Sequence, residues 1–226
     1  MVDMTAAATN RKIWDRIYEG GSLLWYPSEV MVRVVRRRER EGGFAGVVLD
    51  HGCGSGNGAE FLARCGHRVH CTDISASALK VVERRFADAG LTPPSSSLID
   101  VEHPLKGQLP KYDHVIAWQS LCYSDLASAR RNLEELIDGI PAGGAFIVNF
   151  PSPSDALYRH SEPMPDGSRR LIDNVSSQAG AIVTVPNSPD ELASWCKGIE
   201  VRDIVRYGMT FDGMQSDYFV LYGAKA

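Results

Sequence analysis

Between Val47 and Ala59 the chain reads VVLDHGCGSGNGA. An apolar run ends in an acid, and glycines then stand at 52, 54 and 56 before a helix-like segment. This order predicts a strand, a turn stripped of Cβ atoms, and a helix whose first N–H groups are left free. Units of this kind sit at the ligand edge of an open, mostly parallel sheet. The rest of the chain is thereby restricted to strands and helices that alternate and pack in layers.

The remaining sequence meets that restriction. The spacing predicts strand one over 46–50, a helix from Asn57, strand two over 67–73 and a helix over 75–88. A short third strand is predicted over 96–100, behind Pro93-Pro94, and a fourth over 112–119. Ser124 is the expected N-cap of a helix running to Asp138, and 143–150 is the fifth strand. Ser188-Pro189-Asp190-Glu191 has the form of a capping box with Pro at the first helical position. The last two strands, near 199–207 and 216–223, have only a short turn at Phe211–Gln215 between them, so they must run antiparallel.

The 226 residues, 44% hydrophobic, suit a single domain over 1–226. Two segments stand outside the alternation. Residues 1–43 hold NRKIWDRIYEGG, WYP and SEVMVRVVRRRERE and are expected to form a helical cap. Residues 151–186, rich in Pro, Ser and charge, are too long for an ordinary connection and are expected to be a substrate lid.

A net charge of −4 argues against a nucleic-acid partner. Arg36–Arg40 lie at the end of a helix whose apolar residues are Met31, Val34 and Val35, where cations complement the dipole. Five cysteines without a C-x-x-C pair indicate free thiols in a reducing compartment. No leader-like apolar core and no membrane-length segment is present, so the expectation is a cytoplasmic protein with no membrane partner. The pattern of residues points to no metal.

Gly54-x-Gly56-x-x-Ala59 matches a dinucleotide fingerprint, which keeps a nicotinamide oxidoreductase open as a rival. Asp50 opposes that rival, because a carboxylate two residues before the loop repels a pyrophosphate and attracts an ammonium. Asp73, roughly 20 residues on, can accept from both hydroxyls of a ribose. Asp100, after strand three, can accept from an adenine amino group. S-adenosylmethionine, an amino acid joined to adenosine, answers all three acids.

VVLDHGCGSGNG followed by VHCTDIS resembles motifs I and II of the class I S-adenosylmethionine-dependent methyltransferases. The likeness runs on through SLIDVE, YDHVIAWQSLCYSD and LEELIDGIPAGGAFIVNF and covers residues 44–150. It implies an α/β fold: a three-layer, doubly wound sheet of seven strands with a reversed C-terminal antiparallel hairpin. It also implies that Gly52, Cys53, Gly54 and Gly56 line the methionine part, with Asp50 near its ammonium. Asp73 would hold the ribose, Ile74 would pack on the adenine, and Asp100 with the Val101 backbone would read its edge. Trp118 and Gln119 would close the methionine side. His51 departs from the family, which usually has an apolar residue there, and is expected to be satisfied at the strand end.

Methyl transfer from a sulfonium needs positioning more than a catalytic triad, with a base only for an acceptor that keeps its proton. Candidates around the acceptor are Tyr26, His103, Tyr123, Asp125 and His160; Tyr123 and Asp125 rank first because they follow strand four, and His103 is expected to be structural. Trp25 and Tyr26, with Trp25 against the cofactor, resemble the aromatic N-terminal cover of small-molecule methyltransferases. Trp14, Ile17 and Tyr18, at helical spacing, either dock that helix or face the pocket. In the predicted lid, Arg159, His160, Arg169 and Arg170 are interleaved with Asp155, Glu162, Asp166 and Asp173, which favours local pairing. The expected function is methyl transfer to an oxygen or nitrogen of a small molecule: a sugar, a carboxylate or a natural-product intermediate. Rivals are methylation of RNA or protein and a non-catalytic S-adenosylmethionine-binding protein. The sequence assigns no oligomeric state.

Overall fold

The computed structural model describes residues 5–42, 44–172 and 177–226. Parts of the expected cap and lid, Asp173 among them, lie outside the described residues. The seven-stranded sheet has the order β3-β2-β1-β4-β5-β10-β9. Its members are β1 (Val47–His51), β2 (Arg68–Asp73), β3 (Ser95–Leu98), β4 (His114–Ala117), β5 (Ala145–Pro151), β9 (Ile199–Phe211) and β10 (Met214–Lys225). Strands β1 to β5 pair in parallel, and β10 runs antiparallel to both β5 and β9. The reversed hairpin that the short turn demands is therefore present. Its turn is tighter than expected: Asp212 and Gly213 both take positive φ (48° and 77°), the two-residue geometry that matches strand twist.

Side-chain alternation decides which layer each strand residue serves. Leu49, Val115, Ala117, Phe146, Val148, Phe150, Phe219 and Leu221 pack on one face, with Leu133, Leu136 and Ile137 of α5 (Leu126–Asp138) and Leu192 of α7 (Pro189–Trp195). Val48, Ile116, Ile147 and Val220 pack on the other. That face receives Met31, Val34 and Val35 of α2 (Glu29–Arg40), Leu62 of α3 (Asn57–Arg64), and Val82 and Phe86 of α4 (Ala76–Asp88). Phe86, Phe146 and Phe150 are fully buried, each contributing about 1.5–3 kcal/mol by leaving water.

Two caps differ in detail from expectation. Asp125, not Ser124, is the N-cap of α5; its side chain accepts from Ser128 N–H at 2.8 Å, while the Ser124 hydroxyl donates to Leu121 C=O at 2.7 Å. The chain turns one residue later because Ser124 closes the preceding turn. At α7 Ser188 caps Glu191 N–H as predicted, but the Glu191 carboxylate accepts from Asn187 N–H instead of closing the box on Ser188.

The N-terminal helix and the insertion pack against each other. α1 (Ala6–Glu19) contributes Ile13 and Ile17 to a small core shared with Leu157 of α6 (Ala156–Arg159), Leu171 and Val183. The insertion carries a three-stranded antiparallel sheet, β6 (Ser161–Pro163), β7 (Arg169–Leu171) and β8 (Ile182–Val183). Fully buried Asn10 joins the two: its amide donates to Ile182 C=O (2.9 Å) and Tyr123 C=O (2.8 Å), and its oxygen accepts from Ile182 N–H (2.9 Å). The side chain acts as one more residue on the edge of β8. Among the described residues no helix is long and apolar enough to cross a membrane.

Candidate active site

The loop after β1 opens a cleft at the ends of β1 and β4, under α1 and the insertion. Gly52, Cys53, Gly54, Met31 and Asp50 line one side of it, and Trp118, Gln119 and Tyr123 another. The three loop glycines have different reasons to be bare. Gly54 has φ 54°, and a Cβ there would stand 2.5 Å from the Tyr18 hydroxyl in the cleft. Gly52 faces Ser120, behind the loop. Gly56 does not line the cleft as expected; a Cβ on it would meet Val82 of α4 at 2.9 Å, so it serves the close packing of α3 on α4.

Asp50 is 3% exposed, and its Oδ2 has no hydrogen-bond partner. Burial, reinforced by the charge of Asp73, raises its pKa to about 7 against the single N–H contributed by Ala59. A buried carboxylate oxygen without a partner costs free energy until a donor or a cation meets it. Asp73 is also buried, and burial raises its pKa to about 6. Its oxygens accept from Gly54 N–H and Ser75 N–H, both at 2.9 Å. Asp73 therefore holds the glycine loop to β2, and with Ile74 N–H as a third backbone donor its carboxylate still keeps acceptor capacity for a ligand.

Next to Asp73 an apolar slot is lined by Ile74, Ile99, Val101 and Leu121, with Trp14 and Tyr18 across it. His51 lies in its floor, Nδ1 3.1 Å from Thr72 Oγ1, and burial lowers its pKa to about 4, which keeps the ring neutral. Asp100 does not line this slot. β3 ends at Leu98, and the Asp100 carboxylate turns outward to Arg11 (3.2 Å), His103 (3.2 Å) and Glu102 N–H (3.1 Å). His103 is thus held at the surface as Asp100's neighbour.

The structure separates the expected acceptor residues. Tyr123 lines the cleft; its ring meets Trp14 edge-on at 4.8 Å and its hydroxyl donates to Gln178 Oε1 at 3.0 Å. Asp125 is committed to capping its helix and lines neither the cleft nor the slot. Trp25 and Tyr26 are 69% and 85% exposed and face a groove over α4, away from the cleft. Backbone contacts turn them out: Arg85 binds the Trp25 carbonyl (3.2 Å) and Asn57 the Tyr26 carbonyl (2.9 Å). The aromatic cover is instead Trp14 and Tyr18, stacked at 5.9 Å on α1.

Sequence reasoning missed Asn149, in the centre of buried β5. Its Oδ1 accepts from Gln119 N–H at 2.6 Å and so holds Gln119 at φ 51° on the cleft floor. The signal was an amide inside the apolar run AFIVNF. Leu24, Gln178 and Tyr218 also line the cleft without having been singled out. In the insertion Arg169 binds Ser161 and the Tyr158 ring in place of the expected acids. Arg36 and Arg37 pair with Glu39 and Glu41 on their own helix end, a solvated arrangement.

Residues 48–144 match the family model described as a methyltransferase domain. The chain is 25% identical over 138 residues to trans-aconitate 2-methyltransferase of Afipia carboxidovorans, a match covering 58% of this chain. It spans half the length of that relative. Among solved structures it resembles an S-adenosylmethionine-dependent methyltransferase from Anabaena variabilis (14% identity, TM-score 0.70, 99% of this chain and 96% of the other). It also resembles the 1,6-didemethyltoxoflavin-N1-methyltransferase of Burkholderia thailandensis, solved with S-adenosylhomocysteine (17% identity, TM-score 0.65, 97% of this chain and 89% of the other).

Proposed function

We propose that this chain is a class I S-adenosylmethionine-dependent methyltransferase, in keeping with its methyltransferase-domain match and its fold, and that it transfers a methyl group from S-adenosylmethionine to an oxygen or nitrogen of a small-molecule acceptor. The observation that carries the reading is the orphaned Asp50 oxygen, buried beside a loop whose Cβ atoms are missing. It suits an ammonium and repels a pyrophosphate.

The residues present fit the cofactor. Asp50 would hold the ammonium, with the backbone of Gly52, Cys53 and Gly54 along the methionine part. Asp73 would accept from the ribose hydroxyls with the lone pairs its backbone donors leave free. Ile74, Ile99 and Val101 would flank the adenine, and Trp118 with Gln119 would wall the reacting end. When bound, the cofactor supplies a methyl group on a cationic sulfur, already activated for displacement.

The chain's own contribution is then placement and exclusion of water. The Asn149 to Gln119 bond fixes the floor. Trp14, Tyr18 and the insertion close the top, and the shared core of α1 and the insertion makes them move as one cover. Tyr123 contributes by aiming Gln178 into the cleft. The two named relatives act, by their names, on small molecules, which supports a small-molecule acceptor here. Calorimetry tests the cofactor: S-adenosylhomocysteine should bind at about −8 kcal/mol, in the micromolar range, and NADH should not. Binding of NADH alone would sink the proposal.

A further inference from the structure

We infer that the acceptor is a neutral or cationic aromatic molecule whose donor group meets Asp155, and that the cleft refuses carboxylate-rich acceptors. The inference rests on the methyl-transfer reading and narrows it. Away from the glycine loop, the cleft is lined by Asp155, Leu157, His160, Gln178, Met214 and Tyr218. Trp14, Trp118 and Tyr123 complete it, an aromatic wall suited to a ring.

Among the described residues, no lysine or arginine lines this cleft. The segments outside them, 1–4, 43 and 173–176, carry none in the sequence either. The cations nearby are already engaged: Arg159 binds Gln215 Oε1 at 2.6 Å, Arg206 binds Asp217 at 2.9 Å, and Arg16 donates to Ser177 C=O at 3.3 Å. Recognition of a di- or tricarboxylate relies on arginine forks or a comparable density of donors. This cleft offers carboxylates in their place. Asp155 is 2% exposed; it accepts from Leu157 N–H (2.8 Å) and Asp217 N–H (2.7 Å), and each oxygen keeps one lone pair. Burial in these surroundings raises its pKa, as for a carboxylate awaiting a donor. An anionic acceptor would meet that charge with only Arg159, which does not line the cleft, to offset it.

Three phenols of one ring and different charge test this: 4-hydroxybenzoate, 4-hydroxybenzyl alcohol and tyramine. Each is titrated calorimetrically into protein saturated with S-adenosylhomocysteine at pH 8, with trans-aconitate as a fourth ligand. The expected order is tyramine, then the alcohol, then the benzoate, with at least ~10-fold between the extremes and no binding of trans-aconitate. Asp155→Asn should compress that range to within ~3-fold. Because Asp155 also caps α6, a second variant is needed: Gln178→Arg places a cation in the cleft and should tighten 4-hydroxybenzoate by at least ~10-fold. Benzoate bound as tightly as tyramine, trans-aconitate bound by the unaltered protein, or no phenol bound at all would each overturn the inference. Failure to bind S-adenosylhomocysteine would overturn the methyl-transfer reading itself, and this one with it.

Discussion

Replacing Asp50 by Asn should make the ligand-free protein more stable at pH 8 while weakening its hold on S-adenosylhomocysteine. The Asp50 carboxyl is raised by burial from 3.8 to about 7. At 1.36 kcal/mol for each pH unit, that difference makes the ionised group a burden of up to ~4 kcal/mol on the folded state. The sign follows from proton counts. Between pH 4 and 7 the folded carboxyl keeps a proton that the unfolded one has lost. The group's contribution to wild-type stability is therefore fully present below about pH 4 and is lost as pH rises through about 7. Asn has no such slope. It weakens the bond from Ala59 N–H from charge-assisted to neutral, a loss of about 1–2 kcal/mol, so the net gain at pH 8 should be about 2–3 kcal/mol. The ammonium of S-adenosylhomocysteine, left without its partner, should bind about 3 kcal/mol less well, roughly 150-fold. Urea unfolding at pH 5 and 8 and calorimetry at pH 8 measure both quantities. A variant less stable than wild type at pH 8, or one with unchanged affinity, would refute the reasoning.

Cofactor affinity of the unaltered protein should rise between pH 6 and 8 as Asp50 ionises, and a flat calorimetric profile would count against that assignment. Asp73→Ala should lower affinity by about 1.5–3 kcal/mol, because it loses its bonds to the ribose and to the Gly54 backbone that shapes the loop; unchanged calorimetric affinity would contradict that role. Trp25→Ser and Tyr26→Ser should change S-adenosylhomocysteine affinity by less than ~2-fold, as exposed positions usually do, and a tenfold loss would mean that their loop closes on the cleft. Asn149→Leu should lower turnover about 10-fold with most cofactor affinity retained, through release of Gln119 from its positive φ; equal turnover would show that the floor needs no such anchor.

Much of the molecule follows from local sequence. The strand, bare loop and helix at 47–64 are written in consecutive residues, as are the continuous apolar run of β5 and the antiparallel hairpin behind the Asp212-Gly213 turn. Asp50, Asp73, Ile74, Gly52 and Gly54 line the cleft or the slot, as their places at strand ends suggest. What the sequence could not decide was the facing of residues whose direction depends on distant partners. Trp25 and Tyr26 point outward because Arg85 and Asn57 seize their carbonyls from other helices. Trp14 and Tyr18 face the cleft because Asn10, one turn before, is tied to β8 over 170 residues away. Asp100 leaves the apolar slot because β3 stops early and Arg11 draws it out. Asp155 reaches the cleft, and Asn149 the floor residue Gln119, only through the pairing of β5 with β10 and of Asp155 with the Asp217 backbone. A helix or strand is chosen within a few residues, and its exposed end is a matter of whichever long-range hydrogen bond forms there, which only the assembled fold supplies.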